Sequence, residues 1–334
     1  MREERKFSII LPLLDPFDRF VAAGAVQRII GQTLALEGDP ELIVVSNNCT
    51  AACPRLTGYL RSLQTSHPHR IKLVEAEKNL GTARGFNAGL QAADPGSAYL
   101  VFMSADADIV DPSMLTKIGA AMDSHPSLGI AHPVSVYEDA GKFNFSRKYN
   151  ARAFYRLIRR HAGESAEIPP EERQRILAAI STRRGIKAPF AGTPLTFAVY
   201  RHAMIKEIGP FDEGVEYGCY ETYDLGMRAL MKGYQVARLN GVFINHRRLA
   251  IRNLVLQGTP EIDALPHRAV IRQSEQWWLE KWGRPPGELF AKWKWGPVMF
   301  SLLQPYFRLR HCGGLLKRAL NNHWHLAITI SKHL

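Results

Sequence analysis

Three groups of residues in this chain have types and spacing that can do chemistry. Asp106 and Asp108 flank Ala107 directly after the apolar run AYLVFMS at 98–104. Two carboxylates at i and i+2 can converge on one divalent ion, and Mg²⁺ or Mn²⁺ accepts such hard oxygen ligands with its shell completed by substrate phosphates. The same pair serves equally well as a helix cap or a solvated turn. The second group is Glu221 and Asp224, one helical turn apart, either of which can take a proton from a hydroxyl. Acidic residues also favour the positive end of a helix for purely structural reasons. The third is the glycine-rich stretch NLGTARGFNAGL at 79–90. Its Gly81, Gly85 and Gly89 permit close backbone approach, Asn79 and Asn87 can fix the loop, and Arg84 offers a planar fork for a diphosphate or a sugar. Close packing of a helix on a strand is the plainer use of those glycines.

Such groups need elements to position them, and the first hundred residues supply an alternation of strands and helices. A strand over Phe7–Leu14 precedes a helical pattern from about Phe17 to Leu34. Strand Glu41–Val45, helix Arg55–Gln64, strand Arg70–Glu75, helix Thr82–Ala92 and strand Ala98–Ser104 follow. These β-α alternations predict an α/β fold with a mostly parallel sheet and flanking helices. Ligands of such sheets sit beyond the carboxyl ends of the strands. From about 145 to 187 the chain turns arginine-rich, with Pro169-Pro170 at its middle. Two helices inserted over the active-site side are expected there, either as a solvated hairpin or as a basic cover for an acceptor. After Ile244 the pattern is helical and aromatic. The expected organisation is therefore a catalytic domain over 1–250 and a helical, basic, aromatic extension over 251–334.

The bulk composition narrows the partners. With 46% hydrophobic and 22% charged residues among 334, the chain supports a buried core and is not disordered. A formal net charge of +12 attracts polyanions, yet no nucleic-acid motif accompanies it, so no nucleic-acid partner is expected. Cys49, Cys53, Cys219 and Cys312 include no C-x-x-C pair, which reads as reduced thiols in a cytoplasmic setting. The start, MREERKFSIILPLLDP, lacks the pattern of a signal peptide, and no run reaches the ~18 apolar residues of a spanning helix.

Taken in order, SIILPLLDP, VQRIIGQTLALEGDPELIVVSNN, NLGTARGFNAGL, VFMSADADIVDPSML, GPFDEGVEYGCYETYDLGMRALMKGY and INHRR resemble the consecutive motifs of family 2 glycosyltransferases of the GT-A (Rossmann-like) fold. The resemblance covers roughly the first 250 residues and rests on the order and spacing of six segments. It implies a metal-dependent, hexosyltransferase-like enzyme. Such an enzyme moves a sugar from a nucleotide-diphosphate donor, UDP favoured, to a hydroxyl of a glycan or lipid-linked acceptor in surface polysaccharide or glycoconjugate synthesis.

The resemblance also implies roles residue by residue. Pro12, Leu14 and Asp15 face the nucleoside, as does the turn Ser46-Asn47-Asn48, where Ser46 replaces the usual aspartate. Asn79, Gly81, Arg84, Asn87, Ala105, Asp106, Gly192 and Thr193 line the donor site. Asp106, Asp108 and His246 hold the divalent metal, manganese or magnesium, with Arg247 and Arg248 near the phosphates. Thr222 stands where similar inverting enzymes carry the aspartate base, and threonine cannot take that proton near neutral pH. Glu221 is then the first choice of base and Asp224 the second. Inversion is favoured; the missing aspartate keeps a retaining enzyme open, and a non-catalytic glycan or anionic-surface binding protein on the same fold is the reading from another class.

The carboxy-terminal region adds Trp277, Trp278, Trp282, Trp293 and Trp295 interleaved with lysine and arginine, and a tail in which Arg308, Arg310, Lys317 and Arg318 accompany Leu315, Leu316 and Trp324. That mixture predicts a peripheral attachment to an anionic membrane at its cytoplasmic face. Packing as a final helix, or a homodimer contact, is the alternative use of the same residues.

Overall fold

The structure, a computed structural model, describes residues 6–13, 18, 24–47, 53–109, 111–139, 142–144, 186–187, 196–215, 218, 220–246, 267–286 and 289. The chain forms two compact units, Met1–Trp277 and Trp278–Leu334. The first contains the sheet. β1 (Phe7–Leu13), β2 (Glu41–Ser46), β3 (Ile71–Glu75) and β4 (Tyr99–Met103) are joined through the helices α1 (Ala25–Leu34), α2 (Pro54–Ser66) and α3 (Gly81–Ala92). These four strands pair in parallel in the order β3-β2-β1-β4. β1 and β2 are almost wholly buried, which is why both read as continuous apolar runs and not as alternating ones. The strands and helices expected over the first hundred residues are thus present with ends shifted by one or two residues, except that the first helix begins at Ala25 and not near Phe17, residues 17 and 19–23 lying outside the described residues.

The rest of the sheet is built from the later chain. β5 (Ala107–Asp108) leads to α4 (Met114–Ser124), and β6 (Leu128–Asp139) is followed by β7 (Lys142–Asn144), β8 (Ile186–Lys187) and β9 (Phe197–Arg201). Then come α5 (His202–Ile208), α6 (Glu221–Met231), β10 (Gln235–His246) and α7 (His267–Trp282). The full order is β3-β2-β1-β4-β9-β6-β10-β5, with β7 on β6 and β8 on β10. β9 is antiparallel to both of its neighbours, and β6 and β10 resume a parallel pair. The sheet is mixed at this end and parallel at the other. Ile186–Lys187, placed by the sequence at the end of a helical insertion, is instead a short strand against β10; the remainder of that insertion, 145–185, lies outside the described residues.

The two faces of the sheet are covered differently. On one, Ile9, Leu11, Val44 and Val101 pack with Val26 and Ile29 of α1, Leu56 and Leu60 of α2, and Ile118 and Met122 of α4. On the other, Phe86 of α3, Phe102 of β4, Tyr200 of β9 and Phe211 form an aromatic cluster with ring centroids 4.7–6.2 Å apart, a spacing that suits edge-to-face contact. α3 lies so close to the strands that a Cβ on Gly89 would stand 2.3 Å from Cγ2 of Ile10. Only glycine fits there. α2 is capped from a distance: the carboxylate of Asp18 accepts the backbone N–H groups of Arg55 and Leu56 at 2.9 and 2.8 Å, two of the donors that a helix start leaves unmatched.

Candidate active site

The site is assembled beyond the end of β4, where the short strand β5 pairs with the late strand β10. After Met103 the chain turns through Ser104–Asp106, and β5 pairs antiparallel with the end of β10, His246 opposite Ala107 and Asn245 opposite Asp108. This register joins residues 140 positions apart: Nε2 of His246 lies 2.7 Å from Oδ2 of Asp106. The Ser104 hydroxyl donates to the other oxygen of Asp106. Desolvation raises the Asp106 carboxyl, but His246 and the hydrogen bond from Ser104 outweigh it and hold the group below its ordinary range, so it is a carboxylate at neutral pH. Its side chain retains 21% exposure and that of His246 13%.

Asp108 is differently placed. It is buried, and its Oδ1 accepts from the Gln32 amide of α1 at 2.6 Å, while Oε1 of Gln32 accepts the Ile109 N–H at 3.0 Å. Asp106 and His246 therefore form a pair with Asp108 anchored beside them. Among the described residues no three His, Cys, Asp or Glu side chains already gather into a metal cage.

The acidic pair at the start of α6 separates into two distinct environments. Asp224 is fully buried and accepts from Nε of Arg228 at 2.8 Å. That guanidinium donates onward to the carbonyls of Ile208, Gly209 and Pro210 at 2.6–3.1 Å, so the Asp224–Arg228 pair ties α6 to the end of α5. Glu221 is 1% exposed, and its Oε2 has no hydrogen-bond partner among the described residues. Burial pushes its carboxyl up to about 7, opposed by its own backbone N–H. A carboxyl with that pKa is half deprotonated near neutrality, the condition a general base needs. Directly before it, Tyr220 takes the left-handed conformation, φ 73° and ψ −18°, a strained geometry that surrounding contacts must hold.

Residues 21–209, more than half of the chain, match the sequence profile of Glycosyl transferase family 2. This chain belongs to glycosyl transferase family 2. No curated protein matches it. Among solved structures, the fold of this glycosyltransferase is similar to that of GalNAc-T7 with UDP, GalNAc and Mn²⁺, at 12% identity and a TM-score of 0.51 over 82% of this chain and 49% of that one. The chain thus spans about half of GalNAc-T7. It also aligns with Staphylococcus aureus TarS 1–349 in complex with UDP, at 13% identity and TM-score 0.46 over 82% and 72% of the two chains. A third alignment is with the mannosyltransferase PcManGT from Pyrobaculum calidifontis in complex with GDP-Man and Mn²⁺, at 14% identity and TM-score 0.47 over 92% and 84%.

In the glycosyltransferase, several positions expected to touch the donor are engaged with its own backbone. The Asn47 amide, buried at the end of β2, donates to the Gly81 carbonyl at 3.1 Å and accepts the Leu80 N–H at 2.7 Å, fixing the turn into α3. Asn79 accepts the Gly81 N–H at 2.9 Å. Asn87 is buried, and its amide donates to the Phe211 carbonyl at 2.9 Å and accepts the Phe211 N–H at 3.1 Å. Those amides fix the loops at both ends of the segment around α3 by pairing with the main chain. Arg84 is exposed and within 3.7 Å of Glu213. Pro12 and Ser46 stand near the carboxyl ends of β1 and β2, opposite Val45 and Leu13 in the register, and Ala105 begins the turn before β5. Leu14, Asp15, Asn48, Gly192, Thr193, Arg247 and Arg248 lie outside the described residues. Ser104 and Gln32, which orient the two aspartates, were not singled out in the sequence; a polar residue next to the acidic motif was the signal for Ser104, and Gln32 had none.

Proposed function

We propose that this glycosyltransferase moves a sugar from a nucleotide-diphosphate donor, of which a UDP-sugar is the first choice, to a hydroxyl of a glycan or lipid-linked acceptor, with inversion at the anomeric carbon. The observation that carries the proposal is Glu221: a buried carboxyl with one oxygen unmatched among the described residues and a pKa raised to about 7, at the start of a helix that packs beside β10. The acceptor oxygen attacks the anomeric carbon as the bond to the diphosphate oxygen breaks. That electron pair leaves with the nucleotide diphosphate. The acceptor proton passes to Glu221. Asp224 is held by Arg228 and is assigned to architecture.

The donor set at the mouth of the sheet fits a divalent ion. Asp106, held as a carboxylate, and His246 present a hard oxygen and an imidazole at 2.7 Å from each other, Asp108 stands next to them, and an incomplete protein set suits an ion whose shell substrate phosphates complete. GalNAc-T7, which shares the fold, was solved with UDP and Mn²⁺. Such an ion would neutralise charge developing on the leaving diphosphate. The role in surface polysaccharide or glycoconjugate synthesis, and attachment of the basic tail to an anionic membrane surface, complete the proposal.

The test is a panel of nucleotide sugars with Mn²⁺, followed by variants. Glu221→Gln keeps the size of the side chain and removes its basicity, so kcat should fall ~10²–10⁴-fold while donor affinity in calorimetry stays nearly unchanged. Near-normal turnover by Glu221→Gln removes the assignment. The anomeric proton of the product in NMR reports inversion, and a retained configuration would overturn that part.

A further inference from the structure

The segment that leads into α6 is fastened at several separate points. Arg228 grips the carbonyls of 208–210. At Phe211 the side chain joins the aromatic cluster, while both backbone groups are taken by the buried amide of Asn87 from α3. The same amide nitrogen reaches Oε1 of Glu213 at 2.9 Å. At Gly218, the buried Ser274 of α7 donates to the carbonyl at 2.6 Å, and Thr82 of α3 lies so near that a Cβ on residue 218 would stand 2.9 Å from its Oγ1. Tyr220 and Glu221 stand two and three residues further on.

An asparagine buried on a helix, next in sequence to the core residue Phe86, is a costly choice unless both ends of its amide are matched. Here both are matched, and by one residue of one segment. α3 starts at the mouth of the sheet, next to the turn that Asn47 fixes, so the helix on the donor side and the segment bearing Glu221 are tied into one piece. A left-handed Tyr220 persists only if its surroundings hold it, and a carboxyl whose Oε2 has no hydrogen-bond partner among the described residues stays dry only if the chain around it does not open.

We propose that Asn87 is a positioning residue of the transfer reaction, with Ser274 as its counterpart: Asn87 holds the N–H and carbonyl of Phe211 at 3.1 and 2.9 Å, Ser274 holds the Gly218 carbonyl at 2.6 Å, and together they set where Glu221 stands and keep water from it. The inference rests on Glu221 as the base. Neither side chain touches the sugar. A misplacement of a reacting group by about 1 Å costs up to ~10²-fold in rate, which is the scale on which these clamps act.

The experiment compares Asn87→Ala, Ser274→Ala and Ser274→Thr with the unaltered chain, measuring donor affinity, kcat, kcat/KM against pH and melting temperature, with Glu221→Gln alongside. Asn87→Ala and Ser274→Ala should lower kcat ~10–100-fold with donor affinity changed by no more than roughly twofold. Because the raised pKa of Glu221 comes from burial, water admitted by either variant should move the acid limb of kcat/KM to lower pH by about one unit. Ser274→Thr, which keeps the hydroxyl, should restore both values. If Asn87→Ala fails to fold, Ser274→Ala carries the test. Weakened donor binding with an unmoved acid limb and normal kcat would make Asn87 a donor contact and overturn the inference, as would a lowered melting temperature with both readouts normal. A fully active Glu221→Gln removes the base and the inference together, whereas an inactive Glu221→Gln beside normal clamp variants removes the inference alone.

Discussion

Glu221 and Asp224 show how environment divides labour between two carboxyls on one helix. Asp224 has a guanidinium at 2.8 Å, and Glu221 has burial without a charged partner at its free oxygen. Burial of Glu221 has a consequence for stability. Its folded pKa lies above the ordinary 4.5, so its contribution is most favourable below pH 4.5 and is lost as pH rises to about 7. Glu221→Gln should therefore stabilise the fold above pH 7 by an amount on the order of 3 kcal/mol at most, with the gain vanishing below about pH 4.5. Urea titrations of both proteins at pH 4 and pH 8 would show it, and equal differences at both pH values would count against a buried, raised carboxyl. Asp106 supplies a second prediction of this size. Asp106→Ala should weaken Mn²⁺-dependent binding of a nucleoside diphosphate at least ~10-fold in calorimetry, about 1.4 kcal/mol, and more than His246→Ala does; equal affinity of the unaltered chain with and without EDTA would oppose the metal assignment.

At the scale of elements, the glycines of two helices make opposite predictions. Gly89 of α3 packs against Ile10 and Val45, with an added Cβ at 2.3 and 3.1 Å from them, so Gly89→Ala should destabilise by ~1–3 kcal/mol through overpacking. Gly58 lies within α2 with nothing inside 4 Å of an added Cβ. Gly58→Ala should stabilise by ~0.5–1 kcal/mol, since alanine loses less backbone entropy in a helix. Thermal melts of the two variants in opposite directions would confirm that Gly89 is the point at which α3 is pressed onto the strands that lead to the site, while Gly58 lies on the outer side of α2. The same closeness explains why a polar residue of α3 reaches Phe211 on a segment 124 residues away.

For the molecule as a whole, the question is where its positive charge goes. No helix among the described residues is long and apolar enough to cross a membrane, and the basic, aromatic tail lies outside them. If the four basic residues Arg308, Arg310, Lys317 and Arg318 meet an anionic surface, each adds ~1 kcal/mol near it, sufficient for reversible attachment. Full-length protein should float with vesicles rich in phosphatidylserine at low salt and not with neutral ones, and a chain ending at Gln304 should not float with either. Sedimentation of the full-length protein away from anionic vesicles at every salt concentration would leave the tail as a structural element.

The sequence by itself determined the local features of this protein: which stretches are strands and helices over the first hundred residues, that the strands β1–β4 are parallel, and that the acidic motif stands at the mouth of one of them. Those features follow from apolar runs, periodicity and short connections, all of which are local. It also carried the family, through the order of six motifs. What only the tertiary structure decided is long-range. The family resemblance already groups His246 with Asp106, but their contact depends on β10 returning beside β5, and nothing near either residue encodes that register. The resemblance ranks Glu221 before Asp224 as the base, but the environments that separate them, Arg228 at one and burial at the other, are visible only in the fold. Asn47, in the turn after β2, and Asn87, in the glycine-rich motif, offer amides whose partners the sequence does not name; the fold gives Asn47 the backbone at 80–81 and Asn87 the backbone of Phe211 and the carboxylate of Glu213. A side chain's hydrogen bonds are chosen by whichever group the fold brings within 3 Å, and that choice is made in three dimensions.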